Sequence, residues 1–205
     1  MGGFHDPYFR ESGQFSAVVD FAKRLTNSFR IESGGGRLGL ITYGSSAHVS
    51  FELNSFPDAE RLRSAIGETS APDVGGNLEE ALKMSEEFFF AQPTSSAAPS
   101  TLVVVTAGKS TGGSEKVGER LRKLGVEIFC VGVGGGVEKK EINLVASRPL
   151  GGHAFTANFG ELDALSSALG EKICRGKFCF GHFVEFLPAS GPRESYQLIL
   201  IQRDD

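Results

Sequence analysis

Residues 101–113 read TLVVVTAGKSTGG. An apolar run enters Gly108-Lys109-Ser110, the ending of a phosphate-binding loop, and the two readings of this stretch predict different molecules. A loop that wraps phosphates needs G-x-x-x-x-G-K-[ST], so that backbone N–H groups can curl around the anion. Counting back from Gly108 puts Val103 where the first glycine belongs. Only Thr106 and Ala107 separate the apolar run from Gly108, so the chain is still strand where it should be curling. The P-loop reading fails, and the stretch is instead a buried strand followed by a loop at its carboxyl end.

Working outward, helical and extended patterns alternate. Phe15, Val18, Val19, Ala22, Leu25 and Phe29 fall on one helical face. RLGLITY (37–43) and HVSFEL (48–53) read as neighbouring antiparallel strands. Pro57 is placed in the first turn of a short helix carrying Leu62, Ala65 and Ile66. Asn77 and Glu80 form a capping pair for a helix with Leu78, Ala81, Leu82, Ser85, Phe88 and Phe89 inward. After TLVVVT, Ser114 opens a helix with Val117, Leu121 and Leu124 inward. A buried strand VEIFCVGV (126–133) follows, then a helix through Ile142 and Val145. A short strand HAFT (153–156) and a helix with Leu162, Leu165, Leu169 and Ile173 close the alternation. This order predicts a doubly wound, mostly parallel sheet with helices on both faces, three layers of Rossmann-like type. The expected division is an irregular arm at 1–14, one domain at 15–174 and an extension at 175–205.

Composition narrows the function. With 205 residues and 40% hydrophobic content the chain can bury one sizeable core. A net charge of −4 gives no electrostatic footprint for nucleic acid. No apolar run approaches the roughly 18 residues of a membrane span, and MGGFHDPYFR shows no signal peptide. Cys130, Cys174 and Cys179 are too few for a disulfide scaffold. Cys130 reads as inert core, while Cys174 and Cys179 either pair or stay as free thiols. His5, His48, His153 and His182 are scattered, and no zinc set forms. VGVGGGVEKKEI (131–142) matches Gly132 and Gly134 to the first two glycines of a dinucleotide turn, but the third falls on Val137. No nucleophile–base pair or carboxylate couple can be placed, so the chain reads as a non-enzyme without cofactor; a nucleotide enzyme using 132–137 is the lesser alternative.

The segments FSAVVDFAKRL, RLGLITYGSSAHVSFELNSF, GGNLEEALKM, TLVVVTAGKS, LRKLGVEIFCVGVGGGVEKKEI and HAFTANFGELDAL together resemble a von Willebrand factor type A domain. The resemblance implies adhesion or protein–protein recognition, an extracellular setting, and a divalent-cation site at the top of the sheet. That site uses D-x-S-x-S after the first strand, a Thr in a middle loop and an Asp after the fourth strand. Here Ala107-Gly108 stands for the Asp-Gly, and Gly75-Gly76-Asn77 for the Gly-Thr-Asn. HDPYFRESGQ ahead of Phe15 offers Asp6 without serine partners. Lys109 adds a cation, and Asp73 is the remaining loop carboxylate. The expectation is a metal-free rim of Asp6, Ser45, Ser46, Asp73, Gly75, Gly76, Asn77, Ala107, Gly108, Lys109 and Ser110, facing a protein partner. The alternative is a metal-dependent adhesion domain drawing on Asp204 and Asp205, or on Asp6 and Asp73.

The family's central first strand is missing, since MGGFHDPYFRESG contains no apolar run. Two rows of unpaired backbone groups inside the sheet would cost roughly 1–3 kcal/mol each. YQLILIQ (196–202) is the candidate replacement. Entering as a parallel strand, it would carry Asp204 and Asp205 to the top of the sheet; the rival reading is an incidental edge strand on a truncated chain.

Overall fold

The structure, a computed structural model, describes residues 7–29, 31, 37–71, 75–90, 100–110, 112–176, 183–185 and 197–203. The element order is α1 (Pro7–Leu25), β1 (Arg37–Tyr43), β2 (Ala47–Phe51), α2 (Ala59–Glu68), α3 (Leu78–Ser85), β3 (Ser100–Thr106), α4 (Ser114–Lys123) and β4 (Val126–Val133). Then come α5 (Lys139–Val145), α6 (Leu150–His153), β5 (Ala154–Ala157), α7 (Leu162–Gly176), β6 (Phe183–Glu185) and β7 (Gln197–Arg203). The sheet order is β2-β1-β7-β3-β4-β5. β3, β4 and β5 are mutually parallel, and β2 runs antiparallel to β1.

Six of the seven residues of β3 are buried in an unbroken run, as are six of β1. A strand reads this way only when both faces are covered, and two helix groups cover them. α1 lies against α2 and α7, while α3, α4 and α5 lie side by side. Val18, Phe21, Ala22 and Leu25 of α1 are sealed into the core, as are Val117 and Leu121 of α4 and Leu169 of α7.

The centre of the sheet is held by β7. It pairs antiparallel with β1 from Arg37↔Arg203 to Thr42↔Leu198, and antiparallel with β3 from Leu102↔Ile201 to Thr106↔Gln197. The slot between β1 and β3 is thus filled by the segment singled out from sequence, but in the opposite direction to the parallel strand expected. Ladder hydrogen bonds form in either sense, and approach decides which. β6 first runs parallel to β1 beside Leu38 and Gly39, and the chain then returns downward as β7. Arg203 therefore sits beside Arg37, about 20 Å of strand away from the top edge. The expectation that β7 would deliver Asp204 and Asp205 to the top is corrected by this direction; those two residues lie outside the described ones.

Local differences have local causes. α1 begins at Pro7, so the expected irregular arm is already helical there; a proline's fixed φ suits the first helical position. Pro57 precedes α2 rather than lying in it, because Asp58 is the cap, its Oδ1 accepting from the Arg61 N–H at 2.9 Å. α3 runs on as a π-turn over Glu86–Phe90, whose extra residue per turn changes the helical phase, with Phe89 buried and Phe88 turned outward at 54% exposure. Leu124 is also exposed, lying past the last helical turn of α4. His153 closes α6 and β5 starts at Ala154.

A proline at position 200 would remove a donor midway along the ladder of β7, where Leu200 stands opposite both Leu40 and Val103. Leu200→Pro is expected to abolish the cooperative thermal transition, whereas Leu200→Ile keeps it; circular dichroism melts of both variants check this.

Candidate functional site at the top of the sheet

The carboxyl ends of β1, β3 and β4 share one edge, as the parallel β3–β4 register from Ser100↔Val126 to Thr106↔Gly132 requires. Three loops meet there: 44–46, 75–77 and 107–113. They are joined by hydrogen bonds that cross long stretches of sequence. The Asn77 N–H donates to the Gly44 carbonyl at 2.8 Å, and Asn77 Nδ2 donates to the Ser45 carbonyl at 3.3 Å. Asn77 also caps α3, accepting from the Glu80 N–H at 3.2 Å, while its amide donates to the Glu80 carboxylate at 2.7 Å. Gly75, at φ +153°, lets the loop lie against the backbone of Ser45, where a Cβ would collide.

Ser110 is the stitch between β3 and its neighbours. It is buried, and its hydroxyl accepts from the Leu78 N–H at 3.2 Å, satisfying a donor at the start of α3. Its own N–H donates to Glu141 Oε2 at 3.0 Å, and the Ser114 hydroxyl donates to Glu141 Oε1 at 3.2 Å. Glu141 of α5 thus holds both ends of the 110–114 loop. Gly113 opens α4 at φ +85°, with the Glu79 carboxylate in the space a side chain would take.

The residues expected to form a rim differ in how far they reach solvent. Gly76, Ala107, Gly108 and Ser110 are buried, Ala107 at 5% exposure; Ser45 and Lys109 are exposed, and Ser46 and Asn77 are half-buried. Lys109 pairs with Glu138 at 3.2 Å across the mouth of the 107–113 loop. The Gly108 carbonyl accepts from the Thr106 hydroxyl at 3.1 Å. Asp6 and Asp73 lie outside the described residues. Among the described residues, no three His, Cys, Asp or Glu side chains converge as cation ligands. Beside the end of β3 the chain offers a methyl and an ammonium, which does not suit a hard divalent cation needing carboxylate oxygen. A groove of about 220 Å³ runs along this edge, lined in part by Lys109, Ser114, Glu138, Lys140 and Glu141.

The 132–137 turn is filled by the protein itself. Val137 covers the Cα of Gly132, the Phe159 ring lies over Gly134, and the Gly134 N–H donates to the Ala157 carbonyl at 2.9 Å. A phosphate would have to displace all three.

Sequence reading missed Glu141, Glu138, Glu79 and Tyr43. Glu79 and Glu141 sit on helices whose phase, not their spacing, turns them to this edge, and Glu138 immediately precedes α5. Tyr43, at the end of β1, is fully buried beside Thr106. Burial, and then the charge of Glu141, push its phenol well above the ordinary 10.0, with the neighbouring Thr106 acting in the opposite sense. Burial likewise pushes the Cys130 thiol up, in line with an inert core cysteine.

This geometry agrees with what known proteins show. The family model for the von Willebrand factor type A domain matches residues 11–168. The chain belongs to the von Willebrand factor type A family. Mouse Matrilin-3 is 26% identical over 167 residues, covering 78% of this chain and 34% of the relative. Chicken Matrilin-1 is 28% identical over 163 residues, covering 78% and 33%. The chain therefore spans about a third of the length of the curated relatives it matches. Among solved structures, proximal thread matrix protein 1 from the mussel byssus superposes with a TM-score of 0.71 at 24% identity, covering 80% of this chain and 43% of that one. Manganese-loaded TRAP protein from Plasmodium vivax superposes at 0.62 with 17% identity, over 90% and 68%. These likenesses show a type A fold, three-layered and Rossmann-like.

Two predictions follow from the stitching and from the buried phenol. Ser110→Ala leaves the Leu78 N–H without its acceptor and is expected to cost about 1–3 kcal/mol, whereas Lys109→Ala, breaking an exposed ion pair, costs about 0–1 kcal/mol; urea unfolding ranks them. Above pH 10 the unfolded chain releases the Tyr43 proton while the native state keeps it, so stability falls as pH rises, by up to about 1.4 kcal/mol per pH unit. In Tyr43→Phe this share of the alkaline loss is absent, which thermal melts across pH 9–11 would record.

Proposed function

We propose that this type A domain is a non-enzymatic protein-interaction module whose top edge works without a divalent cation. The observation carrying the proposal is Ala107 at the end of β3, where the family's site calls for a carboxylate, with the Lys109 ammonium next to it and paired to Glu138. Ser110 and Glu141, at the same edge, are engaged in holding loops together. One mussel byssus structure carries a zinc-occupied metal-ion-dependent adhesion site, and the Plasmodium structure is manganese-loaded, so the contrast lies in the residues at the edge and not in the fold. A partner would meet Ser45, Ser46, Asn77, Lys109 and the adjoining groove through shape and ordinary polar contacts.

The matrilin and byssus-matrix likenesses support a partner among extracellular matrix or cell-surface proteins, and with it an extracellular location. Among the described residues no helix is long and apolar enough to cross a membrane. The filled 132–137 turn argues against a nucleotide enzyme. A second reading keeps a cation through Asp6 and Asp73.

Melting with Mg²⁺, Mn²⁺ or EDTA separates the two. The metal-free reading expects the same midpoint in all three. A ligand at 100 times its dissociation constant would add about 2.7 kcal/mol, and an upshift of that size, lost in Asp73→Ala, would establish the second reading instead.

A further inference from the structure

We propose that the groove between β2 and the end of α2 takes an arginine side chain of a protein partner.

The groove has a volume of about 370 Å³, within the range of roughly 300–1,000 Å³ typical of ligand sites. Thr42, Ser50 and Phe51 line it from the sheet, Phe56 from the connection to α2, and Glu68 and Thr69 from the end of α2. Its sheet side is shaped by an irregularity in the β1–β2 ladder. Leu40 faces Phe51 and Ile41 faces Val49, so Ser50 is an extra residue, a bulge in the edge strand. There the Ser50 hydroxyl lies 3.3 Å from that of Thr42, which is itself buried.

Charge decides what such a groove holds. Among the described residues that line it, Glu68 is the one ionisable side chain. Its Oε1 accepts from the Ser64 hydroxyl at 3.1 Å, and it forms no ion pair among the described residues. The cations around α2 are engaged elsewhere. Arg61 pairs with Asp58 at 3.6 Å, and Arg63 donates to Asn27 Oδ1 at 3.2 Å. Lys23 lies over Gly67 and does not line the groove. α2 has no basic residue in its last turn, so its terminal carbonyls add negative partial charge to that of Glu68. A phosphate or carboxylate is repelled here.

An arginine answers both halves of the lining. Its apolar stem covers Phe51 and Phe56, which meet edge-to-face at 5.0 Å and are half-buried. Its guanidinium donates to the Glu68 carboxylate and to the hydroxyl oxygens. The Thr69 hydroxyl already donates to the Ala65 carbonyl at 3.0 Å, which leaves its lone pairs to accept. A planar fork suits acceptors spread along a groove better than the single point of a lysine ammonium. Neither Ala107 nor Lys109 lines this groove, so the proposal stands apart from the metal-free reading of the top edge.

The probe is acetyl-Ala-Arg-Ala-amide, with the citrulline peptide as its neutral isostere. Each is titrated into the nitrogen-15-labelled full chain to about 20 mM, enough to saturate a site of millimolar dissociation constant. Saturable amide shifts are expected at Ser50, Phe51, Glu68 and Thr69 with the arginine peptide, and none with citrulline. Glu68→Gln keeps an acceptor for Ser64 but loses the charge. It should weaken the arginine peptide about two- to fivefold, the size of an exposed ion pair. Equal shifts from both peptides, shifts that do not saturate, or unchanged affinity in Glu68→Gln would each overturn the proposal. The readout is confined to groove amides, so it succeeds or fails separately from the metal test of the top edge.

Discussion

The backbone hydrogen bonds of one seven-residue strand hold this molecule together. β1 and β3 both present rows of N–H and C=O groups toward the slot between them, and β7 pairs with both there. Left open, those rows would cost roughly 1–3 kcal/mol for each buried group, against a total stability of about 5–15 kcal/mol for a domain. β7 satisfies both at once. The two helix layers have a continuous surface to pack on only because it is there.

From that centre the top edge follows. β1 and β3 end level with one another only if the strand between them fixes their spacing and register. Tyr43 and Thr106, at those two ends, then come into contact, and the loops that follow can be tied by Asn77, Ser110 and Glu141. The place where a cation-binding relative would keep carboxylate oxygens is occupied by a methyl, an ammonium and internal hydrogen bonds. The loops at this edge are joined to one another by hydrogen bonds of the protein itself.

The helix and strand pattern of 15–174 was legible because apolar spacing of 3.6 and unbroken β-branched runs report burial directly. The exceptions show where periodicity loses authority. Phe88 falls on the inward face of an ideal helix, yet a π-turn moves it to solvent. Leu124 continues the spacing of α4 but lies beyond its end. In the site, Ala107, Lys109 and Ser110 could be located from sequence. That Ser110 faces inward as a clasp could not, since its partners lie 31 and 32 residues away.

The sequence by itself determined the family, the alternation of elements, the tail segment able to pair inside the sheet and the alanine at position 107. Each is a property of residue type at a given place along the chain. Tertiary structure alone decided that β7 runs antiparallel, that Arg203 ends beside Arg37 instead of at the site, and that Glu141, Glu138 and Tyr43 gather at the top edge. Those outcomes depend on how the chain reaches the slot and on the rotation of helices about their axes. Both are settled only when distant segments pack against each other.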